Sequence, residues 1–374
     1  MTAKKLLSLI LACTFAFTML TFTGCTKKDD TDIKPADSTS DETGSGNKSD
    51  SDAPSAPAEN KVKTPEFVNP LTGLECPENM VKNRPVAIMI NNIHQALPQE
   101  GIAKADIIYE ILEEGGITRL MALYLDYASL GETGSIRSSR DYFIDLSDAH
   151  DAIYVHCGGS TYAKNVLAAR KTNDIDGMFM GNFYRSKERA KTMATEHTLM
   201  ITGEGIAKNI QTKGYRTTSE ASSPLKFETE DKTITGNAAS YIEIPFSLAL
   251  KTKPYALSTL SYDQNTKTYL NGQYDEKHID GLTGEQLAFK NVITLECEQH
   301  VIAGDALGCL AVNFTGSGKG LYATDGAVKE IVWKKASRTE QYTLYEKDGS
   351  TELKLNPGKS YIAIVPTGTT VTCK

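Results

Sequence analysis

The sequence predicts a mixed α/β (α+β) domain followed by a β-rich domain. Residues 65–223 alternate apolar, strand-like runs with segments of helical periodicity. From residue 224 the helical periodicity fades, and alternating Thr, Tyr, Val and Ile recur between Gly, Asn and Asp turns. About 310 residues follow the polar N-terminal stretch, more than one hydrophobic core usually organises. We therefore divide the body into an α/β domain at 65–223 and a β-rich domain at 224–374, the second packed as a sandwich or half-barrel.

The first 24 residues have the layout of a lipoprotein signal peptide. A lysine-containing start precedes an apolar stretch over residues 6–22, and small residues then lead into Cys25. We expect cleavage before Cys25 and acyl chains on this cysteine, which would hold the protein on the extracytoplasmic face of the cell membrane. An uncleaved anchor is the alternative, but the apolar run is short for a span of about 20 residues.

Residues 25–64 are predicted to be a lipidated cysteine and a disordered tether. The segment is crowded with Asp, Ser, Thr, Pro, Gly and Lys. Such a composition cannot bury enough apolar surface to offset the entropy of ordering the chain. About 39 flexible residues give an end-to-end distance on the order of 35 Å, so the body could search a shell above the membrane.

Charge and cysteine content exclude several classes of function. The formal net charge is -7, and it becomes -9 once the two lysines of the signal peptide are removed. This charge argues against binding to nucleic acid and against a broad basic, membrane-binding surface on the protein. No zinc-site spacing, G-x-S-x-G, phosphate-binding loop or dinucleotide fingerprint occurs in the sequence, so we expect no metal and no cofactor. Whether Cys297 and Cys309 pair stays open.

Two apolar runs, at 107–112 and 117–124, are predicted to form a β-hairpin. They flank Gly115-Gly116, which supplies the positive φ that a tight turn needs. With these glycines as the turn, Glu114 lies opposite the first residue of the second run and shares a face with Arg119. Arg119 then has two possible roles, a cross-strand ion pair with Glu114 or a charge that faces a ligand.

Arg137 and Arg140 bracket a predicted helix start. Ser138 followed by Asp141 fits an S-x-x-D start signal, and apolar residues follow at helical spacing. A helix start carries a positive partial charge, so cations there are unfavourable unless an anion joins them. The two arginines therefore indicate an anion site, with two solvated side chains as the alternative.

Polar residues also follow two predicted strands at the edge where α/β sheets usually bind ligands. His156 ends one strand, and a glycine turn capped by Ser160 leads into a helix, an arrangement that offers backbone N–H groups to an oxyanion. His156 and Cys157 cannot easily share a proton, because adjacent residues on a strand point to opposite faces. The residues that we expect to line a ligand cleft are Asn91, Asn92, Arg119, Arg137, Arg140, His156, Gly158, Gly159, Ser160 and Arg185.

Several blocks of sequence resemble the YerB-like bacterial lipoproteins, a family defined by paired N- and C-terminal domains of unknown function. The blocks are NPLTGL, RPVAIMINN, ADIIYEILEEGGITRLMALY, GSIRSSRDYFIDL and DAIYVHCGGS. The resemblance implies an envelope lipoprotein and no known enzymatic activity. The family has a Pro-His-Asn block after a Tyr-Arg motif; here Tyr184-Arg185 is present, but His197 lies between Glu196 and Thr198.

We expect a non-enzymatic lipoprotein that binds an anionic envelope ligand or a protein partner of the cell-wall machinery. The alternative is a hydrolase on an anionic envelope substrate, with His156 or His197 as the acid–base group and an arginine clamp. A third hypothesis is an adaptor that docks an envelope protein through the β-rich half.

Overall fold

The computed structural model describes residues 65–246 and 256–374. The predicted signal peptide, Cys25 and the tether lie outside the described residues. The helices are α1 (Asp141–Ala149), α2 (Thr161–Arg170) and α3 (Gly203–Lys213). In chain order the strands are β1 (Val86–Asn91), β2 (Ile107–Leu112), β3 (Thr118–Tyr124), β4 (Thr133–Gly134), β5 (Ile153–His156), β6 (Asp174–Asp176), β7 (Phe183–Arg185), β8 (Leu199–Ile201), β9 (Asn237–Ala238), β10 (Tyr241–Pro245), β11 (Leu257–Asp263), β12 (Thr268–Gln273), β13 (Glu276–Lys277), β14 (Ala288–Phe289), β15 (Asn291–Val301), β16 (Leu310–Asn313), β17 (Gly316–Thr324), β18 (Ala327–Lys335), β19 (Tyr342–Glu346), β20 (Ser360–Pro366) and β21 (Thr372–Cys373).

A twelve-stranded sheet runs through both halves of the chain. Its main path is β19-β18-β17-β15-β20-β2-β3-β1-β5-β6. Strand β2 from the first half pairs in parallel with β20 from the second, with Ile107 opposite Ser360. The large sheet therefore contains strands from both sides of residue 223, and the division into two domains stays a prediction.

Strands dominate the fold. The three α-helices all lie between residues 141 and 213, so the described part of the second half contains strands without α-helices. The β-rich character of the second half is confirmed. The α/β character of the first half is confirmed only in part, because its helices are few and short beside its strands.

Two apolar cores lie on opposite faces of the large sheet. Successive residues of β1 show this, since Val86 and Ile88 belong to one core and Ala87 and Met89 to the other. The first core is shared with a six-stranded sheet, in which β13-β12-β11-β10-β21 form the main path and β14 pairs with β12. The second core takes in α1 and α2. The run at 86–90 is buried on both faces, as a nearly continuous apolar strand predicts.

The β2–β3 hairpin forms at the predicted glycines, but its register differs from the prediction by one residue. Leu112 lies opposite Thr118, and the Glu113 N–H donates to the Ile117 carbonyl at 2.7 Å. The loop therefore has three residues rather than two, with φ of +74° at Gly115 and +73° at Gly116. A one-residue change reverses the faces of a strand, so Glu113 rather than Glu114 shares a face with Arg119.

The two predicted helix starts have different outcomes. Helix α2 begins as expected, because the Ser160 side chain accepts from the Ala163 N–H at 3.1 Å. Helix α1 begins two residues later than the Ser138 signal predicts, with Arg140 at the N-cap position. The delay arises because Ser139 is extended and forms a parallel bridge with Gly159.

The cysteines of the described residues are all free, and so Cys297 and Cys309 do not pair. Cys297 lies within β15, and Cys309 immediately precedes β16. Burial raises the pKa of both thiols to about 12, which opposes formation of the reactive thiolate.

Candidate functional site

The segment from Arg137 to Arg140 lies along the ends of β1 and β5. The Arg137 N–H donates to the Met89 carbonyl at 3.0 Å, and the Cys157 N–H donates to the Arg137 carbonyl at 3.0 Å. The Ser139 N–H donates to the Gly158 carbonyl at 2.9 Å. The backbone of the predicted arginine pair therefore lies directly beside the glycine turn.

The side chains of Arg119 and Arg140 are occupied by glutamates of the hairpin. Arg140 donates to the two carboxylate oxygens of Glu114 at 2.7 and 2.8 Å, and its Nη2 lies 2.6 Å from Glu113 Oε1. Arg119 pairs with Glu113 and donates to the Ser138 carbonyl at 2.7 Å. When both glutamates are ionised, the two arginines and two glutamates give a neutral cluster, so an anionic ligand would have to displace a carboxylate.

Burial governs the ionisation of this cluster. It raises the pKa of Glu113 to about 7, while the two neighbouring arginines act in the opposite direction. Burial also lowers the pKa of Arg119 to about 10. Each charge is taken out of water, and the pairing offsets only part of the desolvation cost.

Most groups of the glycine turn also have internal partners. The Gly158 N–H donates to Asp176 Oδ1 at 2.7 Å, and the Ser160 N–H donates to the Ser139 carbonyl at 3.2 Å. A Cβ on Gly159 would lie 3.2 Å from Cβ of Ser139, so the turn packs tightly against the arginine segment. The turn binds the protein's own oxygens where we expected it to offer N–H groups to a ligand.

The two candidate acid–base histidines are buried. His156 Nδ1 lies 2.8 Å from the Gly158 carbonyl, and its Nε2 lies 3.2 Å from Asp174 Oδ2. Both ring nitrogens of His156 therefore have partners within the protein. His197 Nδ1 lies 2.8 Å from Asn91 Nδ2, and burial, together with Arg137, lowers the pKa of His197. The Nε2 of His197 lies 3.8 Å from Glu196 Oε1, and the imidazole as a whole is buried.

Arg137 and Arg185 donate to neighbouring carbonyls of one short turn. Arg137 Nη1 donates to the Glu196 carbonyl at 3.1 Å, and Arg185 Nη1 donates to the Thr195 carbonyl at 2.6 Å. The Nε of Arg137 is buried and has no hydrogen-bond partner among the described residues. These arginines hold the turn that carries His197.

Asn92 belongs to a separate buried network around Glu110. Glu110 Oε1 accepts from Asn92 Nδ2, Thr118 Oγ1 and Gln273 Nε2 at 3.1, 2.6 and 3.1 Å. Its Oε2 accepts from Ser258 Oγ at 2.8 Å and from Tyr361 OH. Burial raises the pKa of Glu110, and the hydrogen bonds from Thr118, Tyr361, Ser258 and Asn92 oppose that shift. A lone glutamate inside an apolar strand is the sequence signal for this network.

A cleft of about 700 Å³ lies beside this network. One wall is formed by Ile93–Gln95 and Ile117, and the other by Leu257, Thr259 and the segment Gln273–Glu276. Gln273 is only 2% exposed, and its Oε1 has no hydrogen-bond partner among the described residues. An unpaired buried acceptor costs about 1–3 kcal/mol, which a donor from an occupant would recover.

The β12–β13 turn gives the cleft a defined wall. Tyr274 and Asp275 have φ of +56° and +62°, which is uncommon for a residue as bulky as tyrosine. The Tyr274 hydroxyl donates to the Asn92 carbonyl at 2.7 Å, and its ring centroid lies 5.1 Å from that of His94. These contacts hold a backbone conformation that costs on the order of 1–3 kcal/mol, as occurs at ligand sites.

Sequence reasoning did not find this cleft. It joins residues 93–95 to residues 257–276, which no local motif connects. None of the ten residues that we expected to line a cleft lines this one. Asn92 contacts its wall through the Tyr274 hydroxyl, and Asn91 Oδ1 accepts from the Ile93 N–H at 3.4 Å.

Comparisons with known proteins match most of the chain. Models of the N-terminal and C-terminal domains of a protein of unknown function (DUF3048) match residues 71–216 and 246–362. The chain is 33% identical over 299 residues to "Putative lipoprotein YerB" of Bacillus subtilis (strain 168), covering 79% of this chain and 86% of that protein. The crystal structure of the Bacillus subtilis YerB protein matches with a TM-score of 0.70 and 30% identity, covering 82% of this chain and 100% of the other. Within the described residues, no helix has the length and apolar character needed to cross a membrane.

Proposed function

Because the chain belongs to the DUF3048 family, we propose that it is a lipid-anchored, extracytoplasmic binding protein that holds a small envelope ligand in the cleft beside Glu110. The observation that carries the proposal is Gln273, a buried residue of the cleft wall whose Oε1 lacks a partner among the described residues. Ligand sites are typically preformed clefts of about 300–1,000 Å³ with few oriented polar groups.

The cleft supports ligand binding better than the arginine clamp does. Arg119 and Arg140 are neutralised by Glu113 and Glu114, whereas the cleft is open and one acceptor in its wall is unpaired. The buried state of His156 and His197 gives the hydrolase alternative no support.

The anchor is proposed from the signal-peptide layout and the resemblance to a protein named as a lipoprotein. Cys25→Ala is expected to abolish incorporation of an alkyne-tagged fatty acid, because the thiol that would be acylated is removed. Labelling of intact cells followed by affinity capture measures this. Cys76→Ala is the control and should label like the wild type; labelling of Cys25→Ala at the wild-type level would contradict the anchor.

Ligand binding in the cleft is tested with the full-length protein in detergent and three probes. These are an N-acetylated disaccharide, glycerol 3-phosphate and an amide-capped Gly-Lys-Gly peptide. A probe at about ten times its Kd should raise the Tm by about 2 °C, since binding to the folded state alone stabilises it.

Thr259→Trp should abolish the shift in Tm, because the indole fills the cleft. Ser317→Trp adds the same ring in a different groove and should leave the shift intact. Absence of a shift with all three probes, or an equal shift in Thr259→Trp, would contradict cleft binding.

A further inference from the structure

The charged groups of the cleft are of one sign. Asp275 and Glu276 contribute to its wall, and no lysine or arginine lines it among the described residues. Neither carboxylate takes part in an ion pair between described residues. Lys277 is the next residue and lines the neighbouring groove, which Glu276 also borders. Among the described residues that line the cleft, an anionic ligand would meet two carboxylates and no cationic side chain, so the cleft favours a cation.

The orientation of Gln273 adds a fixed acceptor. Its Nε2 donates to Glu110 Oε1 at 3.1 Å, and a carboxylate there favours the amide orientation that points nitrogen toward it. The amide therefore presents its oxygen elsewhere, and Oε1 has no partner among the described residues. The Gln273 side chain is buried, so this acceptor is shielded from bulk water.

An aromatic ring completes the recognition surface. The Tyr274 ring is held by its hydroxyl, which donates to the Asn92 carbonyl at 2.7 Å, and by packing against His94. The face of a tyrosine ring attracts cations and also packs against an alkyl chain. Carboxylates, an amide oxygen and a ring face are all complementary to an ammonium group, which has three donors and a positive charge.

We infer that the cleft recognises a primary ammonium group, through the carboxylates of Asp275 and Glu276 and the oxygen of Gln273. The inference rests on the proposed ligand binding and names the chemistry of the ligand. A lysine-type side chain of a peptide and the amino group of a deacetylated sugar both carry this group.

The test compares two pairs of probes on the full-length protein by isothermal titration calorimetry at pH 6.5, where both free amines are protonated. Each pair differs only in acetylation of the amine: amide-capped Gly-Lys-Gly against its Nε-acetyl form, and glucosamine against N-acetylglucosamine. Acetylation should weaken binding about tenfold or more, because it removes the charge and two donors. The pair that binds more tightly identifies the peptide or the sugar as the source.

Variants of the wall test the residues. Asp275→Asn and Glu276→Gln should each weaken binding of the amine about three- to fivefold, the range of a partly exposed ion pair. Asn tolerates a positive φ, so the turn is kept in the first variant, and Glu276 provides a second variant outside the turn. Glu352→Gln removes an equal charge from an exposed site and should bind like the wild type.

Equal binding of the acetylated and free amines, or unchanged binding in both wall variants, would overturn the ammonium inference. If the disaccharide or glycerol 3-phosphate raises the Tm of the wild type but not of Thr259→Trp, while no amine binds, cleft binding stands and the ammonium inference fails. If no probe binds, the proposed function itself fails.

Discussion

Glu110→Ala is expected to lower the free energy of unfolding by about 3–5 kcal/mol. The change removes the acceptor of five buried donors, from Asn92, Thr118, Gln273, Ser258 and Tyr361. Each buried donor left without a partner costs about 1–3 kcal/mol, and the hydroxyl donors recover part of this by turning toward other acceptors. Urea unfolding followed by circular dichroism measures the loss.

Two variants separate this network from general effects of substitution. Glu110→Gln keeps the side-chain volume and one strong acceptor, so it should cost about 1–2 kcal/mol less than the alanine variant. Glu352→Ala changes an exposed glutamate and should stay within about 0.5 kcal/mol of the wild type. A loss below about 1 kcal/mol for Glu110→Ala would mean that the five donors find other partners.

Glu113→Ala is expected to cost about 3–5 kcal/mol at pH 8, because it leaves the buried Arg119 guanidinium without its counter-charge. Glu114→Ala should cost less, since Arg140 keeps its contact with Glu113. Replacing both members of the pair, with Glu113→Ala and Arg119→Met, should recover part of the loss, since no buried charge is left unpaired. Equal losses in the two single glutamate variants would contradict this assignment of partners.

The pH dependence of stability gives an independent readout of Glu113. Its pKa is about 7 in the folded protein, above the ordinary value of 4.5, so the folded state binds the proton more tightly than the unfolded state. The stabilisation from this group is fully present below pH 4.5 and is lost as the pH rises through 7, with a slope of up to about 1.4 kcal/mol per pH unit. Glu113→Gln does not titrate and should lack this component of the profile.

Much of the local structure was predictable because it depends on neighbouring residues. The Gly115-Gly116 turn, the Ser160 cap of α2 and the doubly buried strand at 86–90 follow from backbone freedom, side-chain capping and apolar pattern. The hairpin register was not predictable, since a Gly-Gly pair fits loops of two or three residues. The difference of one residue in loop length decided whether Glu113 or Glu114 shares a face with Arg119.

The partners of the charged residues were also beyond local reasoning. Arg137 and Arg140 were correctly expected near a helix start, but the sequence does not show that glutamates 26 residues away approach Arg140. A positive side chain indicates an anion without saying whether the anion is a ligand or part of the same chain. For Arg140, the anions are the carboxylates of Glu113 and Glu114 in the β2–β3 hairpin.

By itself, the sequence determined the strand-rich body, the hairpin, the capped helix and the family resemblance, because each depends on residues that are close along the chain. Only the tertiary structure decided that β2 and β20 share one sheet and that residues 93–95 meet residues 257–276 across a cleft. The reason is that such contacts are selected by burial of apolar strands against distant partners, and the alternation of side chains along a strand does not specify which distant strand will pair with it.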